Sequence, residues 1–250
     1  MTELKTITVA LILIAFYSCN RAKQGAELEE LSAATRFVNR SIEAHGGMDA
    51  WRRINAISYL KTTILYDSSG TEESKIVQRH NFRLKPEIEG TISWTSDSDS
   101  VKIVYEGGQG LQYSNGAADS TSTASATNTV LASLYVLFQP FKLLDEGTQL
   151  ELIESVNVWD KKVNQIRPIY NGAKEGDDQW LFCFDSENDL LISNIVNHNG
   201  RISFIENLAF DSTTELLLHQ HRKSYFVDST FTSKYLRAEY YYTDYTLTLD

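Results

Sequence analysis

The sequence predicts a mainly β fold: a curved antiparallel sheet, or half-open β-barrel, of about eleven strands with two covering helical segments. Three observations carry this. From residue 57 to the C-terminus, apolar and polar residues alternate with the period of two that marks a half-buried strand. Short clusters of Gly, Asn, Asp and Ser separate the runs, so that neighbouring strands pair antiparallel. Two segments instead follow helical spacing, and an amphipathic helix must bury its stripe against something. Composition agrees: there are thirteen tyrosines and only three prolines, and Tyr, Phe, Thr, Val and Ile favour strands.

The N-terminus comes first in chain order. Lys5 precedes an apolar run over residues 7–17, too short to span a hydrocarbon core of ~30 Å and suited to a signal peptide. Ser18 then stands directly before Cys19. This resembles the bacterial lipoprotein signals that are cut before a cysteine whose thiol is then diacylated, although Tyr17 is bulkier than the tightest form of that pattern. Residues 1–18 are therefore expected to be a lipoprotein signal peptide, with Cys19 the lipidated residue. Residues 19–26 read as a tether and 27–250 as a single domain. The chain has two cysteines, so acylation of Cys19 leaves Cys183 without a disulfide partner. Cys183 lies in Trp180-Leu181-Phe182-Cys183-Phe184 and reads as a small core residue.

A first helix is expected over residues 27–44, with Leu28, Leu31, Thr35, Val38 and Ile42 on one face. His45-Gly46-Gly47 ends it, with glycine for the left-handed cap and a cation near the last carbonyls. A helical turn over 49–54 places Trp51 and Ile54 together. Strands are expected over 57–66, 72–84, 87–95 and 101–106, and Gly107-Gly108 makes a hairpin into 111–113. Residues 114–128, rich in Ser, Thr, Ala and Asn, read as a mobile loop. A second helical segment follows over 129–144, broken at Pro140. Strands resume near Glu151, with turns at 160–162, 171–178, 185–189, 198–200, 211–214 and 228–233. A sheet this long has to curl or split.

The stretch Ala44-His45-Gly46-Gly47-Met48-Asp49-Ala50-Trp51-Arg52-Arg53-Ile54 resembles the N-terminal helix-to-sheet junction of the LolA/LolB-like lipoprotein-carrier superfamily. Within it, the stretch is similar to that of an uncharacterised group of Gram-negative outer-membrane lipoproteins. Trp180 to Asp185 with Leu190-Leu191, Tyr225 to Asp228, and Tyr240-Tyr241-Tyr242 resemble later strands of that group. The resemblance implies a half-open barrel whose helices cover a hydrophobic cavity that accepts acyl chains. It implies binding rather than catalysis, with no cargo specified.

Charge and motifs exclude several classes. The formal charge of −10, without a basic run, argues against nucleic acid as a partner and against electrostatic adhesion to anionic lipid. His219-Gln220-His221 is the best metal-like pattern, because residues two apart on a strand share a face. With no further ligand motif, two histidines on a solvent-facing strand are the simpler expectation, and no metal is expected. Asp97-Ser98-Asp99 begins like a calcium loop but lacks the glycine and closing glutamate. Ser58 and Lys61 have Ser-x-x-Lys spacing, yet strand geometry sets them on opposite faces. Nucleophile-elbow, Walker and dinucleotide fingerprints are absent from the sequence, so neither an enzyme nor a cofactor is expected.

The expected function is non-catalytic binding of a lipid or other hydrophobic molecule by an outer-membrane, periplasm-facing lipoprotein. Its cavity candidates are Trp51, Trp94, Val130, Leu134, Tyr135, Phe138, Phe141, Trp180, Phe184 and Phe204. Trp159 belongs to the same aromatic set. The alternative is a structural or interaction lipoprotein whose core those side chains simply fill.

Overall fold

The computed structural model describes residues 32–96, 98–158, 161–174, 176–231 and 234–250. The signal run, Cys19, Leu28, Leu31, Asp97 and Trp159 lie outside them. The chain divides into two units, Met1–Ala33 and Ala34–Asp250; of the first, only residues 32 and 33 are described. The second unit holds the whole sheet.

Helix α1 (Ala33–Ala44) buries Ala34, Phe37, Val38, Ser41 and Ile42. Helix α2 (Met48–Arg52) follows after Gly46 and Gly47, both at positive φ. A side chain at Gly46 would also collide with the carbonyl of Glu215, 2.4 Å from where its Cβ would stand. The chain then forms β1 (Ile54–Tyr66), β2 (Glu72–Arg83), β3 (Glu89–Ser96), β4 (Asp99–Glu106), β5 (Gln109–Ser114) and β6 (Ala117–Asp119). Helix α3 (Thr123–Leu137) and a 3-10 turn (Phe141–Leu144) come next. The remainder is β7 (Thr148–Val158), β8 (Lys161–Tyr170), β9 (Gln179–Asp185), β10 (Leu191–His198), β11 (Arg201–Asp211), β12 (Leu218–Val227) and β13 (Lys234–Leu249).

All thirteen strands belong to one open, curved antiparallel sheet, in the order β6-β5-β4-β3-β2-β1-β13-β12-β11-β10-β9-β8-β7. Two meanders are thus joined at the centre by β1 and β13, where Ile54 pairs with Leu249 and Leu65 with Ala238. The two sheet edges, β6 and β7, are consecutive strands in the chain. The segment between them therefore has to cross the mouth of the sheet. Laid flat, thirteen strands would set their edges almost 60 Å apart at about 4.8 Å per step. The 15-residue helix within that segment covers about 22 Å of such a span, and the curl of the sheet shortens the rest.

One expectation needs correction. Residues 114–128 are not a loop. They hold the end of β5, all of β6, a 3-10 turn (Ser120–Ser122) and the first turn and a half of α3. The missed signals are local. Asn115-Gly116, both at positive φ, is a two-residue hairpin turn. Asp119 caps the next turn, its carboxylate accepting from the backbone N–H of Thr121 at 2.9 Å.

Candidate functional site

Helices α1, α2 and α3 lie on the inner face of the sheet. Val38, Ile42, Val130, Leu134, Leu137, Phe138 and Phe141 are buried there with Ile57, Tyr59, Phe82, Ile92, Ile103, Phe182 and Phe184. Trp51 packs its ring 4.2 Å from Phe138 and 5.6 Å from Phe141. Tyr135 meets Trp180 at 6.0 Å and Phe182 at 6.4 Å, and its hydroxyl bonds that of Tyr170. Phe184 packs edge-on to Phe37, and Trp94 lies against the same core. Nine of the ten predicted cavity residues are thereby brought together.

Phe204 is the exception. It lies on the outer face in a second, smaller cluster with Val163, Cys183 and Ile195. Strand alternation explains this: Phe204 pairs with Ile195 and Tyr225, which point away from the helices. Cys183 is fully buried in that cluster; burial raises its thiol pKa, and the Gln165 amide donates to its sulfur at 3.4 Å.

Helix α3 is unusual for a surface helix. No residue between Asp119 and Lys142 is charged. Its outer side presents Ala124, Asn128, Leu131 and Ala132, and Leu131 is 42% exposed. A helix apolar on its inner side and uncharged on its outer side differs from the ordinary amphipathic pattern. Besides the Tyr135–Tyr170 hydroxyl bond, few polar bonds hold it: the amide of Gly110 donates to Thr127 Oγ1 at 2.7 Å, and His219 Nε2 donates to the carbonyl of Val136 at 3.1 Å. Along its flank, facing β1 and β13, lies a cavity of ≈ 250 Å³ lined by Tyr59, Lys61, Thr129, Ala132, Ser133, Val136 and Tyr242.

The polar residues of this face were largely unread in the sequence. Tyr59 stacks on His80 with centroids 4.6 Å apart, and its hydroxyl lies 3.1 Å from His80 Nδ1. Arg222, 3% exposed, donates through Nε to Asn207 Oδ1 at 2.8 Å and through Nη2 to Asn194 Oδ1 at 3.0 Å. Burial lowers the pKa of His45 to about 4 and, helped by the charge of Lys61, that of His80 to about 3. Burial, then the charge of Arg222, lowers that of His219 too. His45 is thus not the helix-end cation expected from its position. It is a neutral tether: Nδ1–H donates to the Ser41 carbonyl at 2.8 Å, and Nε2 accepts from the Leu191 amide at 3.4 Å.

The histidine pair also needs correction. Asn207 pairs with Arg222, Ala209 with His221 and Phe210 with His219. Each strand therefore carries one extra residue, Leu208 and Gln220, and a bulge reverses the alternation. His219 turns inward, 1% exposed, against Phe210 and Tyr242. His221 turns outward and stacks on Tyr241 at 4.4 Å. The two cannot share an ion, and His219 does not face solvent. Among the described residues, no three His, Cys, Asp or Glu side chains cluster as metal ligands. Asp99 spends Oδ1 on the Asn115 amide at 2.8 Å. Ser58 and Lys61 point to opposite faces, as strand geometry requires.

This backbone architecture is similar to that of solved structures. One is a LolA superfamily protein from Nitrosomonas europaea, with a TM-score of 0.55 and 10% identity over 87% of this chain and 94% of that one. The chain has the LolA-like fold. A putative outer membrane lipoprotein-sorting protein domain from Vibrio parahaemolyticus matches with a TM-score of 0.51 and 10% identity, over 84% and 93% of the two chains. A DUF1329 family protein from Desulfovibrio piger matches with a TM-score of 0.54 and 8% identity, over 87% and 94%. No family model and no curated protein sequence matches the chain. At such identities the LolA-like likeness is one of backbone architecture, and the side chains beneath α3 are this chain's own.

Proposed function

We propose that the protein is an envelope lipoprotein, anchored through Cys19, that binds an acyl chain between α3 and the inner face of its sheet without catalysis. The observation that carries this reading is α3 itself: a helix without charge, laid over the inner face of an open sheet, with a cavity along its flank. At ≈ 250 Å³ the cavity is below the ~300 Å³ at which ligand pockets commonly begin. Binding therefore requires α3 to lift, and a helix with few polar bonds is suited to that. A buried chain gains ~0.8 kcal/mol per methylene, and the cost of ordering chain and helix offsets part of it.

The test uses the whole chain carrying Cys19→Ala, titrated with a fluorescent fatty acid while Trp emission is followed. Saturable binding is expected, and Leu134→Glu, which sets a charge on the buried side of α3, is expected to weaken it at least about tenfold. A second reading is favoured by the packing, since Val130, Leu137 and Phe138 are at most 1% exposed: an interaction lipoprotein with a filled core. The absence of saturable binding below about 100 μM would select it. Anchoring is tested separately. Cys19→Ala is expected to move the protein out of the membrane pellet on cell fractionation, and retention there would remove the lipidation reading.

A further inference from the structure

The inner face carries two cations, Lys61 and Arg222. Lys61 lines the cavity along the flank of α3, with Nζ 5.3 Å from the centre of the Tyr240 ring and 5.9 Å from that of Tyr242. Arg222 stands directly opposite Tyr240 in the β12–β13 ladder, so Tyr240 lies between the two cations. Among the described residues, neither cation forms an ion pair. The bonds of Arg222 go to the side-chain oxygens of two asparagines, which leave its charge intact. The carboxylate of Asp211 also acts on this region, through Tyr245, but its Oδ1 is held by the backbone N–H and the hydroxyl of Thr213.

A buried guanidinium outside any ion pair is costly to hold, and it sets a positive field at this end of the face. The remaining groups nearby add to the argument. The His219 ring, buried beside Arg222, has Nδ1 without a partner, as do Nδ2 of Asn194 and Nε2 of His80. Thr129 and Ser133, on the cavity wall, donate their hydroxyls to carbonyls one turn back and leave oxygen rather than charge at the rim. In a chain of net charge −10, such a spot is selective: the outer surface repels anions while the cavity attracts them.

We propose that Lys61, backed by the field of Arg222, recognises the anionic end of an amphiphile whose acyl chain lies beneath α3. The ligand class is a single-chain carboxylate or alkyl phosphate. Lys61 donates to its oxygens, and the rings of Tyr240 and Tyr242 wall the charged group off from water. The proposal rests on the carrier reading above and specifies the end of the cargo.

The experiment compares three probes with one pyrene-labelled sixteen-carbon chain, ending in a carboxylate, a phosphate monoester or a neutral alcohol. Each is titrated into the whole Cys19→Ala chain, with and without Lys61→Gln, Lys61→Arg and Leu134→Glu. The carboxylate or the phosphate is expected to bind about tenfold tighter than the alcohol. Lys61→Gln is expected to erase that preference without changing alcohol binding, Lys61→Arg to keep it, and Leu134→Glu to weaken all three. The arm that loses more in Lys61→Gln identifies the head group. Equal binding of all three probes, or an equal loss of all three in Lys61→Gln, overturns the anionic end while the carrier reading stands. Failure of every probe to bind overturns both.

Discussion

Moving the protein from pH 7.5 to pH 5 is expected to remove on the order of 4 kcal/mol of folding stability through His45 and His80 alone, about 2 kcal/mol each. Both rings are buried and neutral, with pKa values of about 4 and about 3 in the fold, whereas an unfolded histidine titrates near 6.5. The unfolded chain therefore binds more protons everywhere between those values. Stability is fully present above pH ~6.5 and falls as pH drops towards the folded values. His219, lowered by burial in the same direction, adds to the slope. Domains commonly hold only ~5–15 kcal/mol in total, so the loss is a large share. Geometry makes it specific: protonating His45 at Nε2 removes the acceptor for the Leu191 amide and parts α1 from β10. Urea midpoints at pH 7.5, 6 and 5 measure the effect. A flat profile would mean that these rings admit protons without unfolding. The His80→Gln variant should start less stable and lose less on acidification.

The second large effect is expected at Gly110. A Cβ there would stand 2.5 Å from the amide nitrogen of Thr127 and 2.6 Å from the carbonyl carbon of Ala126. Both are backbone atoms of α3, so no rotamer change relieves the clash. Gly110 is not among the glycines at positive φ, and the cost of Gly110→Ala is therefore steric: α3 must lift from β5. Overpacking of this kind costs about 1–3 kcal/mol, which lowers Tm by about 2–4 °C per kcal/mol in a domain of this size. On the carrier reading, the same variant takes up an acyl probe faster than the parent, because the helix is already displaced. A melting temperature within a degree of the parent would show that α3 does not sit as closely as its bond to Gly110 requires.

How much of the fold and the site was legible in the sequence depends on the range over which each signal acts. The strands were legible, since alternation and short turns act within a few residues; β1, β2, β4 and β8 begin and end within three residues of expectation. So was the gathering of Trp51, Val130, Leu134, Tyr135, Phe138, Phe141, Trp180 and Phe184 on one face. The start of α3 was missed because Ser, Thr, Ala and Asn spell a loop by composition, while the helix is held by packing on β4 and β5. Phe204 was misplaced because an aromatic strand residue gives no sign of which face of a two-sided sheet it joins. The histidine pair failed on a bulge, and one extra residue reverses every side chain beyond it. Lys61 and Arg222 lie about 160 residues apart in sequence, and their meeting across Tyr240 is a property of strand order that no local pattern encodes.

Strand order also decides how the fold is assembled. The two meanders form from neighbouring hairpins, each by short loop closures. Their junction is different, because β1 and β13 pair residues as distant as Ile54 and Leu249. Such contacts are slow to find, and they are expected to come after the hairpins on either side have formed. The chain is therefore expected to pass through a stage with two half-sheets, each carrying a bare inner border at β1 or β13 that is ready to pair with another molecule. A lesion in β13 does not fray a margin of the sheet; it cuts the sheet in two and lengthens the life of that stage. For a chain expected to fold after crossing a membrane, the most dangerous interval is the wait for its last strand to arrive.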